Sequence, residues 1–258
     1  MPCRFALRRG TAFLGEVFMN ATSPKLCYSV CEDRTGGIPV IIVAAGSSSR
    51  MGGEDKQFIS ISGIPVIART LIAFERSPDI SKIILVTRKE SINDMQLIAE
   101  KYLISKLTDI VEGGKTRGDS VVCGMARLDK GERKVLISDG ARPFVTNRMI
   151  SDCACALKSH DGCLCAVKVT DTVKQADDMR VTKTVDRSKL YLAQTPQGVD
   201  VALYKKAIEG KGDREFTDDA SVLESAGGDV VIVEGDVRNI KITTPSDIPL
   251  AEILIKGN

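Results

Sequence analysis

Residues 38–52 read IPVIIVAAGSSSRMG, and a lysine, Lys56, follows shortly after them. The run from Val40 to Val43 is short, apolar and β-branched, which predicts a strand buried on both faces. It ends in small residues that let a ligand approach the backbone: Ala44, Ala45 and Gly46. A strand, a small-residue loop and two cations, Arg50 and Lys56, together suit the binding of a polyphosphate.

The spacing of this loop distinguishes it from two other phosphate-binding loops. The dinucleotide fingerprint G-x-G-x-x-G is absent, because serines follow Gly46. A P-loop, G-x-x-x-x-G-K-[ST], is echoed at Gly114–Lys115–Thr116, but its first glycine falls on Asp109. The loop resembles instead the nucleotidyltransferase signature A-A-G-x-x-x-R-M followed by a lysine. On the loop alone, an ordinary turn with solvent-facing cations stays an equal alternative.

The composition argues against several classes of function. The 258 residues suit one larger α/β domain or two small ones. A net charge of only +2 argues against a whole-surface field for nucleic acid, and the scarcity of aromatic residues argues against stacking of single strands. No apolar run approaches the roughly 18 residues that cross a membrane. We therefore expect neither a nucleic-acid nor a membrane partner, and any anion site must come from local clustering of basic residues.

Of the eight cysteines, Cys27 and Cys31 lie in the N-terminal extension and are given no role, and the two close pairs in the folded domain do not form a metal-binding pattern. Cys153 and Cys155 lie two apart on a predicted helix, so their side chains do not share a face. Cys163 and Cys165 alternate in a predicted strand, and neither pair has the C-x₂₋₄-C spacing typical of zinc sites. We interpret these residues as small buried hydrophobic side chains in a reducing cytosol.

Residues 1–37 show neither hydrophobic periodicity nor a strand pattern, and we treat them as a disordered N-terminal extension. Arg4, Arg8 and Arg9 precede a weak apolar patch that makes a poor signal peptide. A transit peptide and an over-called start codon, with Met19 as the true start, are two alternatives. We expect a cytoplasmic protein whose folded domain spans residues 38–258, with organelle import through the extension as the open alternative.

From Ile38 onward the pattern alternates between strands and helices. Apolar runs predict strands at Lys82–Val86, Leu107–Val111, Lys134–Ile137, Cys163–Lys168 and Val230–Val233. Helical spacing places Ile67, Leu71 and Phe74 on one face. We also predict helix caps at Ser91 and Thr217, and a strand over Asn239–Thr243.

This alternation predicts an α/β fold with a doubly wound, mostly parallel, Rossmann-like sheet, whose ligands lie outside the carboxyl ends of the strands. Polar loops follow two of those ends. Residues 113–120, GGKTRGDS, follow the third predicted strand, and residues 138–143, SDGARP, follow the fourth. Each loop taken singly is an ordinary charged turn. Because parallel strands bring both loops to the edge that carries the first loop, the three together favour a binding site.

One segment interrupts the sheet pattern. Residues 171–186 alternate weakly, turn near Asp177–Asp178 and predict a polar β-hairpin with little core of its own. Because an isolated hairpin is marginal in water, we expect this one to pack on something else, most economically a second subunit. We therefore predict a protruding arm, about residues 170–188, and a homodimer formed through it.

Seven motifs in order resemble the methylerythritol-phosphate cytidylyltransferase family of the isoprenoid pathway. They are AAGxxxRMG…K, GGxxRxxSV, DGARP, DTVK, TVDR…QTPQ, FTDDAS and NIKIT. One such motif alone is weak, whereas seven in family order are specific. The resemblance runs from Ile38 to the C-terminus and leaves residues 1–37 uncovered.

The resemblance implies roles for individual positions. Arg50 and Lys56 match the family's two catalytic cations, and Arg187 and Lys241 match residues that position the substrates. The positions that match the CTP site are Ala44, Ala45, Gly46, Gly114, Ser120 and Asp139. The positions that match the polyol-phosphate site are Thr172, Thr217, Arg187 and Lys241, with Arg142 close by. In the family, Thr172 and Arg187 lie on the arm that reaches the partner's site.

The implied reaction joins CTP and 2-C-methyl-D-erythritol 4-phosphate and releases pyrophosphate. A phosphate monoester has a second pKa of about 6, so the attacking oxygen is already ionised near neutral pH and no general base is required. The difficulty is repulsion, which Arg50, Lys56, Arg187, Lys241 and Mg²⁺ are expected to relieve. The protein ligand of the metal is left unknown: we expect the metal to bind through the CTP phosphates, with Asp139 as the nearest candidate.

The sequence departs from the family pattern at two positions. Ser48 stands where many relatives have glycine, and Ser138 stands where histidine is common. Two rival functions also stay open. One is the same reaction on another polyol phosphate such as ribitol 5-phosphate, because that sister family shares the loop and the QTPQ signature. The other is a non-catalytic nucleotide-binding regulator on the same fold, against which the presence of both Arg50 and Lys56 speaks.

Overall fold

The computed structural model describes residues 36–46, 55–210 and 215–257. Residues 1–35 of the predicted extension lie outside these ranges, and so does Arg50. The extension and the start of the domain at Ile38 therefore stay predictions. Among the described helices, none is both long and apolar enough to span a membrane.

A seven-stranded sheet forms the centre of the molecule. Its strands are β1 (Ile38–Val43), β4 (Ile80–Thr87), β5 (Leu107–Glu112), β6 (Lys134–Asp139), β7 (Gly162–Lys168), β10 (Tyr191–Asp200) and β11 (Val230–Glu234). They lie in the order β11-β7-β10-β6-β1-β4-β5. β10 is antiparallel to its neighbours β6 and β7, and the other pairs are parallel. The prediction of a mostly parallel sheet is confirmed.

The first strand is buried on both faces, as its sequence predicts. Val40, Ile41 and Ile42 are 0% exposed. Because side chains alternate along a strand, Val40 and Ile42 join the core on one face of the sheet and Ile41 joins the core on the other. The register with β4 shifts between Ile38 and Val40, at Pro39, which has no N–H to donate.

Helices cover both faces of the sheet, which makes it doubly wound. They are α1 (Val66–Glu75), α2 (Ile92–Lys101), α3 (Arg117–Met125), α4 (Asn147–Ala156), α5 (Val201–Glu209), α6 (Asp219–Ser225) and α7 (Asp247–Lys256). α1, α2 and α4 contribute to one core cluster, and α3, α5 and α6 contribute to the other. The predicted face of α1, Ile67, Leu71 and Phe74, is fully buried.

Of the four cysteines that lie close together in sequence, Cys153, Cys155, Cys163 and Cys165, three are buried in the core, as predicted. Cys153 on α4 and Cys163 and Cys165 on β7 are each 0% exposed. Hydrogen bonding with the Cys163 and Cys165 thiols, together with burial, raises the pKa of Cys153, so that this side chain stays a neutral thiol near pH 7. The interpretation is wrong for Cys155, which is only partly buried and is disulfide-bonded.

The predicted arm is present as a hairpin outside the central sheet. Its strands are β8 (Val173–Asp177) and β9 (Arg180–Val185), joined through Asp178 and Met179, which both have positive φ. Nearly all of its side chains are exposed, and Met179 is 97% exposed. The arm thus buries little apolar surface within its own chain.

Three local predictions are wrong. Asn239–Thr243 is not a strand, because its polar groups make isolated bonds: the Asn239 side chain donates to the Thr195 carbonyl at 2.9 Å, and the Ile242 N–H donates to the Ala141 carbonyl at 2.8 Å. Ser91 precedes α2 without a capping bond from its side chain. α6 is capped by Asp218 instead of Thr217, through a capping box with Ser221.

Two further short strands, β2 (Ser60–Ile61) and β3 (Ile64–Pro65), form a small hairpin between the first loop and α1. α7 packs beside it, where Ile61, Val66, Ala141, Ile242 and Ala251 form a third core cluster. This cluster fixes the segment around Ile242 against the loop that follows β6.

Candidate active site

The carboxyl ends of β1, β5 and β6 meet at one edge of the sheet. The N–H of Gly140, after β6, donates to the carbonyl of Val43, the last residue of β1, at 2.8 Å. The N–H of Ala44 donates to the Val86 carbonyl at 2.7 Å. The small-residue loop therefore starts between two neighbouring strand ends, where the sequence predicted a binding site.

Glycine is required where the loop after β5 approaches the first loop. A Cβ on Gly113 would lie 2.5 Å from the Cβ of Ala45 and 2.8 Å from the Oγ of Ser120. The next residue, Gly114, donates its N–H to Ser120 Oγ at 3.1 Å, and that hydroxyl donates to the Thr116 carbonyl at 3.0 Å. The structure thus brings Gly114 and Ser120 together, within reach of Ala45.

Asp139, the last residue of β6, lies at the centre of a cluster of cations. Its Oδ1 is 3.2 Å from Arg117 Nε, and its Oδ2 is 2.8 Å from Lys241 Nζ and 3.6 Å from Arg142 Nε. We call Asp139, Arg117, Arg142 and Lys241 the Asp139 cluster. Burial alone would raise the pKa of Asp139, but the charges of Arg117, Lys241 and Arg142 outweigh it and lower the pKa to about 2. Asp139 is therefore ionised throughout the physiological range.

The lowered pKa makes folding stability depend on pH. The ordinary pKa of an aspartate is about 3.9, so the stabilisation from Asp139 is complete above about pH 4 and is lost as the pH falls through about 2. The full pKa difference corresponds to about 2.6 kcal/mol, of which about 2 kcal/mol is lost between about pH 5 and about pH 2. We expect the unfolding free energy of the wild type to fall by about that much more than that of Asp139→Asn between about pH 5 and about pH 2. Urea titrations of both proteins across this range measure the difference, and parallel pH curves would contradict the assignment.

A short chain of polar contacts supports the cluster from the side of β10. The N–H of Asp139 donates to Thr195 Oγ1 at 3.0 Å, and the Thr195 carbonyl accepts from the Asn239 side chain at 2.9 Å. Arg142 in turn donates to the Asn239 carbonyl at 2.7 Å. Asn239 is fully buried, so it fixes the backbone that carries Lys241 two residues later.

Arg117 also contacts a second buried carboxylate. Its NH2 is 2.7 Å from Asp219 Oδ2, and Asp219 is only 1% exposed. The Tyr204 hydroxyl donates to Asp219 Oδ1 at 3.1 Å. Burial opposes the charge of Arg117, but the two carboxylates outweigh it and raise the pKa of the guanidinium. Sequence reasoning gave no role to Arg117, Asp219 or Tyr204, although Arg117 and Asp219 lie inside the quoted motifs GGxxRxxSV and FTDDAS.

Lys56 lies in the turn at residues 56–58, which follows the first loop in the chain. The N–H of Phe58 donates to the Asp55 carbonyl at 3.0 Å, and Asp55 forms an ion pair with Arg88. The buried side chain of Gln57 lies against Gly140, where an added Cβ would be 3.1 Å from Gln57 Oε1. The turn is thus fixed next to the loop that follows Asp139. Arg50 lies outside the described residues, so its predicted role is not tested.

The predicted residues of the arm lie apart from the Asp139 cluster of their own chain. Arg187 donates to the Thr170 carbonyl at the base of the arm, and both Arg187 and Thr172 are exposed. Within the described residues, neither side chain forms a hydrogen bond or an ion pair with the cluster. Thr217 is also exposed, and it directly precedes the Asp218 cap of α6.

The surroundings of Asp139 do not suit a divalent cation. One carboxylate oxygen faces Arg117 and the other faces Lys241 and Arg142, so a metal ion at either oxygen would meet positive charge. Within the described ranges, no group of three carboxylate, histidine or cysteine side chains is placed to hold a metal. Asp139 is thus a poor metal ligand in this arrangement, and its contacts instead hold the cationic side chains of Arg117, Arg142 and Lys241 in place.

Comparison with known proteins matches the chain to one family from residue 38 to residue 257. A sequence model of the family described as 2-C-methyl-D-erythritol 4-phosphate cytidylyltransferase matches residues 38–257. A relative of that name from Bacillus cytotoxicus is 42% identical over 216 residues, which are 83% of this chain and 95% of the relative. One from Clostridium novyi is 43% identical over 224 residues, 84% of this chain and 96% of the relative.

Solved structures agree with these relatives. The crystal structure of 4-diphosphocytidyl-2C-methyl-D-erythritol synthase from Anaerococcus prevotii superposes with a TM-score of 0.77 at 34% identity and covers 86% of this chain and 96% of its own. The 2-C-methyl-D-erythritol 4-phosphate cytidylyltransferase of Thermus thermophilus superposes with a TM-score of 0.70 at 28% identity, covering 85% of this chain and 99% of its own.

Proposed function

The chain belongs to the 2-C-methyl-D-erythritol 4-phosphate cytidylyltransferase family, and we propose that it transfers the cytidylyl group of CTP to 2-C-methyl-D-erythritol 4-phosphate, releasing pyrophosphate, in the non-mevalonate isoprenoid pathway. The observation that carries the proposal is the Asp139 cluster. It gathers Arg117, Arg142 and Lys241 beside the small-residue loop, at the sheet edge where ligands of such folds bind.

In the proposed reaction an oxygen of the substrate phosphate attacks the α-phosphorus of CTP. The bond from that phosphorus to the bridging oxygen breaks, and the electron pair leaves with pyrophosphate. The attacking oxygen is already ionised near neutral pH, so no side chain has to remove a proton. CTP brings about four negative charges and the monoester nearly two. Catalysis therefore depends on preorganised cations that stabilise the charge at the α-phosphorus, a role we give to Arg50 and Lys56.

The two substrates divide the site between them in this proposal. The loop of Ala44, Ala45 and Gly46 holds CTP together with Gly114, Ser120 and Asp139. The close contact of Gly113 with Ala45 supports this, because it brings the two loops to the distance at which one nucleotide can touch both. Lys241 and Arg142 face the polyol phosphate, joined by Thr217, Thr172 and Arg187.

We propose that Thr172 and Arg187 act in the site of a partner subunit, in a homodimer formed through the arm. The exposure of the hairpin supports this arrangement, since Met179 is 97% and Val181 is 64% exposed. Met179 and Val181 are apolar and would be covered by a partner. Sedimentation velocity measures the mass in solution, and a monomer at micromolar concentration would exclude the homodimer.

The metal and the cellular location are also proposals. We propose that Mg²⁺ accompanies CTP and is held by its phosphates, where it would offset their charge, because the cations around Asp139 leave that carboxylate unsuited to a metal. We propose a cytoplasmic location; among the described cysteines, Cys123, Cys153, Cys163 and Cys165 are free thiols, whereas Cys155 is disulfide-bonded. Titration of Mg²⁺ with CTP present and absent tests the first proposal, and microscopy of a tagged protein tests the second.

A coupled assay of pyrophosphate release tests the function. We expect release with CTP and 2-C-methyl-D-erythritol 4-phosphate, and much slower release with ribitol 5-phosphate or with ATP, GTP or UTP. Faster turnover of ribitol 5-phosphate would show the sister activity instead. Binding of CTP without any pyrophosphate release would favour the nucleotide-binding regulator.

A further inference from the structure

Asp219 is a buried carboxylate that the proposed reaction does not use. It is 1% exposed and lies at the first turn of α6, which is capped by its neighbour Asp218. Its backbone N–H and that of Ala220 both donate to Gln197 Oε1 at 2.9 Å. Both the backbone and the carboxylate of Asp219 are therefore held in one place by β10 and α5.

Arg117 links this carboxylate to the Asp139 cluster. Its NH2 faces Asp219 at 2.7 Å and its Nε faces Asp139 at 3.2 Å, so one planar guanidinium bridges two carboxylates. The planar fork fixes the direction of both contacts at once, which a lysine ammonium does not do. The position of Asp219 thus determines which side of Asp139 the guanidinium approaches.

The oxygen of Asp139 that Arg117 faces determines which oxygen remains for Lys241. Arg117 faces Oδ1 of Asp139, which leaves Oδ2 to Lys241 at 2.8 Å. Without the charge of Asp219, the guanidinium would be drawn toward Asp139 as its remaining carboxylate and would compete with Lys241 for that side chain. Stability alone gives little reason for such an arrangement, because a buried ion pair is often no more stabilising than apolar residues of the same size.

We propose that Asp219 is a positioning residue of the reaction: through Arg117 it holds Asp139 so that Lys241 stays at the polyol-phosphate side of the site. This inference rests on the proposed function for its catalytic meaning. Its structural content, the control of Lys241 by Asp219, is independent of the reaction.

A double-mutant cycle tests the catalytic part. We expect Asp219→Asn to lower kcat/KM for the polyol phosphate by about tenfold in the wild type, but by less than about threefold in the Lys241→Met background. A merely structural role would lower the active fraction by the same factor in both backgrounds, and equal factors would overturn the proposal. Asp200→Asn is the matched control. Like Asp219, Asp200 lies at the start of a helix, where it caps α5, and it pairs with Lys134, which is at the opposite end of β6 from Asp139. We expect that variant to keep kcat/KM within about twofold of the wild type.

A measurement without substrates tests the structural part. Brief acetylation by acetic anhydride, followed by peptide mass spectrometry, reports how accessible each lysine amine is. We expect Lys241 to be labelled several times faster in Asp219→Asn than in the wild type, while Lys82, paired with Asp129 far from the site, labels at the same rate in both. Unchanged labelling of Lys241 overturns the proposal. If the wild type proves inactive, the proposed function fails, and the labelling still decides whether Asp219 controls Lys241.

Discussion

Replacing Lys56 with alanine is expected to lower kcat by about 10²–10³ while leaving the protein folded. The reaction brings together two polyanions, and a preorganised cation at the α-phosphorus stabilises the charge that develops in the transition state. Removal of one such group typically has an effect of that size. We expect the same for Arg50→Ala, the other cation that follows the first loop.

The fold should tolerate the loss of Lys56, because the turn that carries it is fixed by its neighbours. Asp55 accepts the Phe58 N–H and pairs with Arg88, and Gln57 is buried against Gly140. Steady-state kinetics give kcat, and circular dichroism and a thermal melt check folding. Lys130→Ala, at an exposed lysine before β6, is the control and should match the wild type. Turnover close to normal in Lys56→Ala would remove this residue from the mechanism.

Replacing Arg117 with methionine is expected to destabilise the protein by about 3–5 kcal/mol, the range observed when a buried ion pair loses one partner. The variant keeps most of the side-chain volume but removes the charge that both Asp139 and Asp219 face. The carboxylate of Asp219 is 1% exposed and would keep the Tyr204 hydroxyl as a donor without a nearby cation. Asp139 suffers less, because Lys241 and Arg142 remain beside it.

Equilibrium unfolding in urea measures this loss. Arg127→Met is the control, because Arg127 follows α3, is 57% exposed and lies 4.0 Å from Asp109. An exposed pair of this kind contributes little, so we expect its loss to change the unfolding free energy by less than about 0.5 kcal/mol. If Arg117→Met unfolds at the same urea concentration as Arg127→Met, Asp219 does not depend on the guanidinium.

The sheet, its flanking helices and the arm are predictable from the sequence because each leaves a local, repeating signal. The β-branched run at Val40–Val43 is buried on both faces, and the spacing of Ile67, Leu71 and Phe74 marks the buried face of α1. The weak alternation of residues 171–186 correctly predicts a hairpin with little core of its own. Such signals lie within one short stretch of the chain, so they do not depend on the rest of the fold.

The contacts of the active site are less predictable, since they join segments that are far apart in the chain. The motif around Arg117 and the one around Asp219 were both recognised, but 102 residues separate them, and neither motif shows that they form an ion pair. At Asn239–Thr243 the local pattern itself is misleading, because it predicts a strand that the structure does not contain. Its alternating pattern is that of a strand, but Asn239 and Ile242 are the fully buried residues, and their polar groups bond to Thr195 and Ala141.

The contact between Arg117 and Asp219 joins two segments that are synthesised at different times. During synthesis the N-terminal strands β1, β4, β5 and β6 leave the ribosome first and can already pair with one another in register. Asp139 is then present without Asp219 and Lys241, which arrive with the last quarter of the chain. A nascent chain can thus form part of its hydrophobic core and remain catalytically incompetent, because the cation-lined edge is completed only when the chain between Arg117 and Asp219, 102 residues apart, closes.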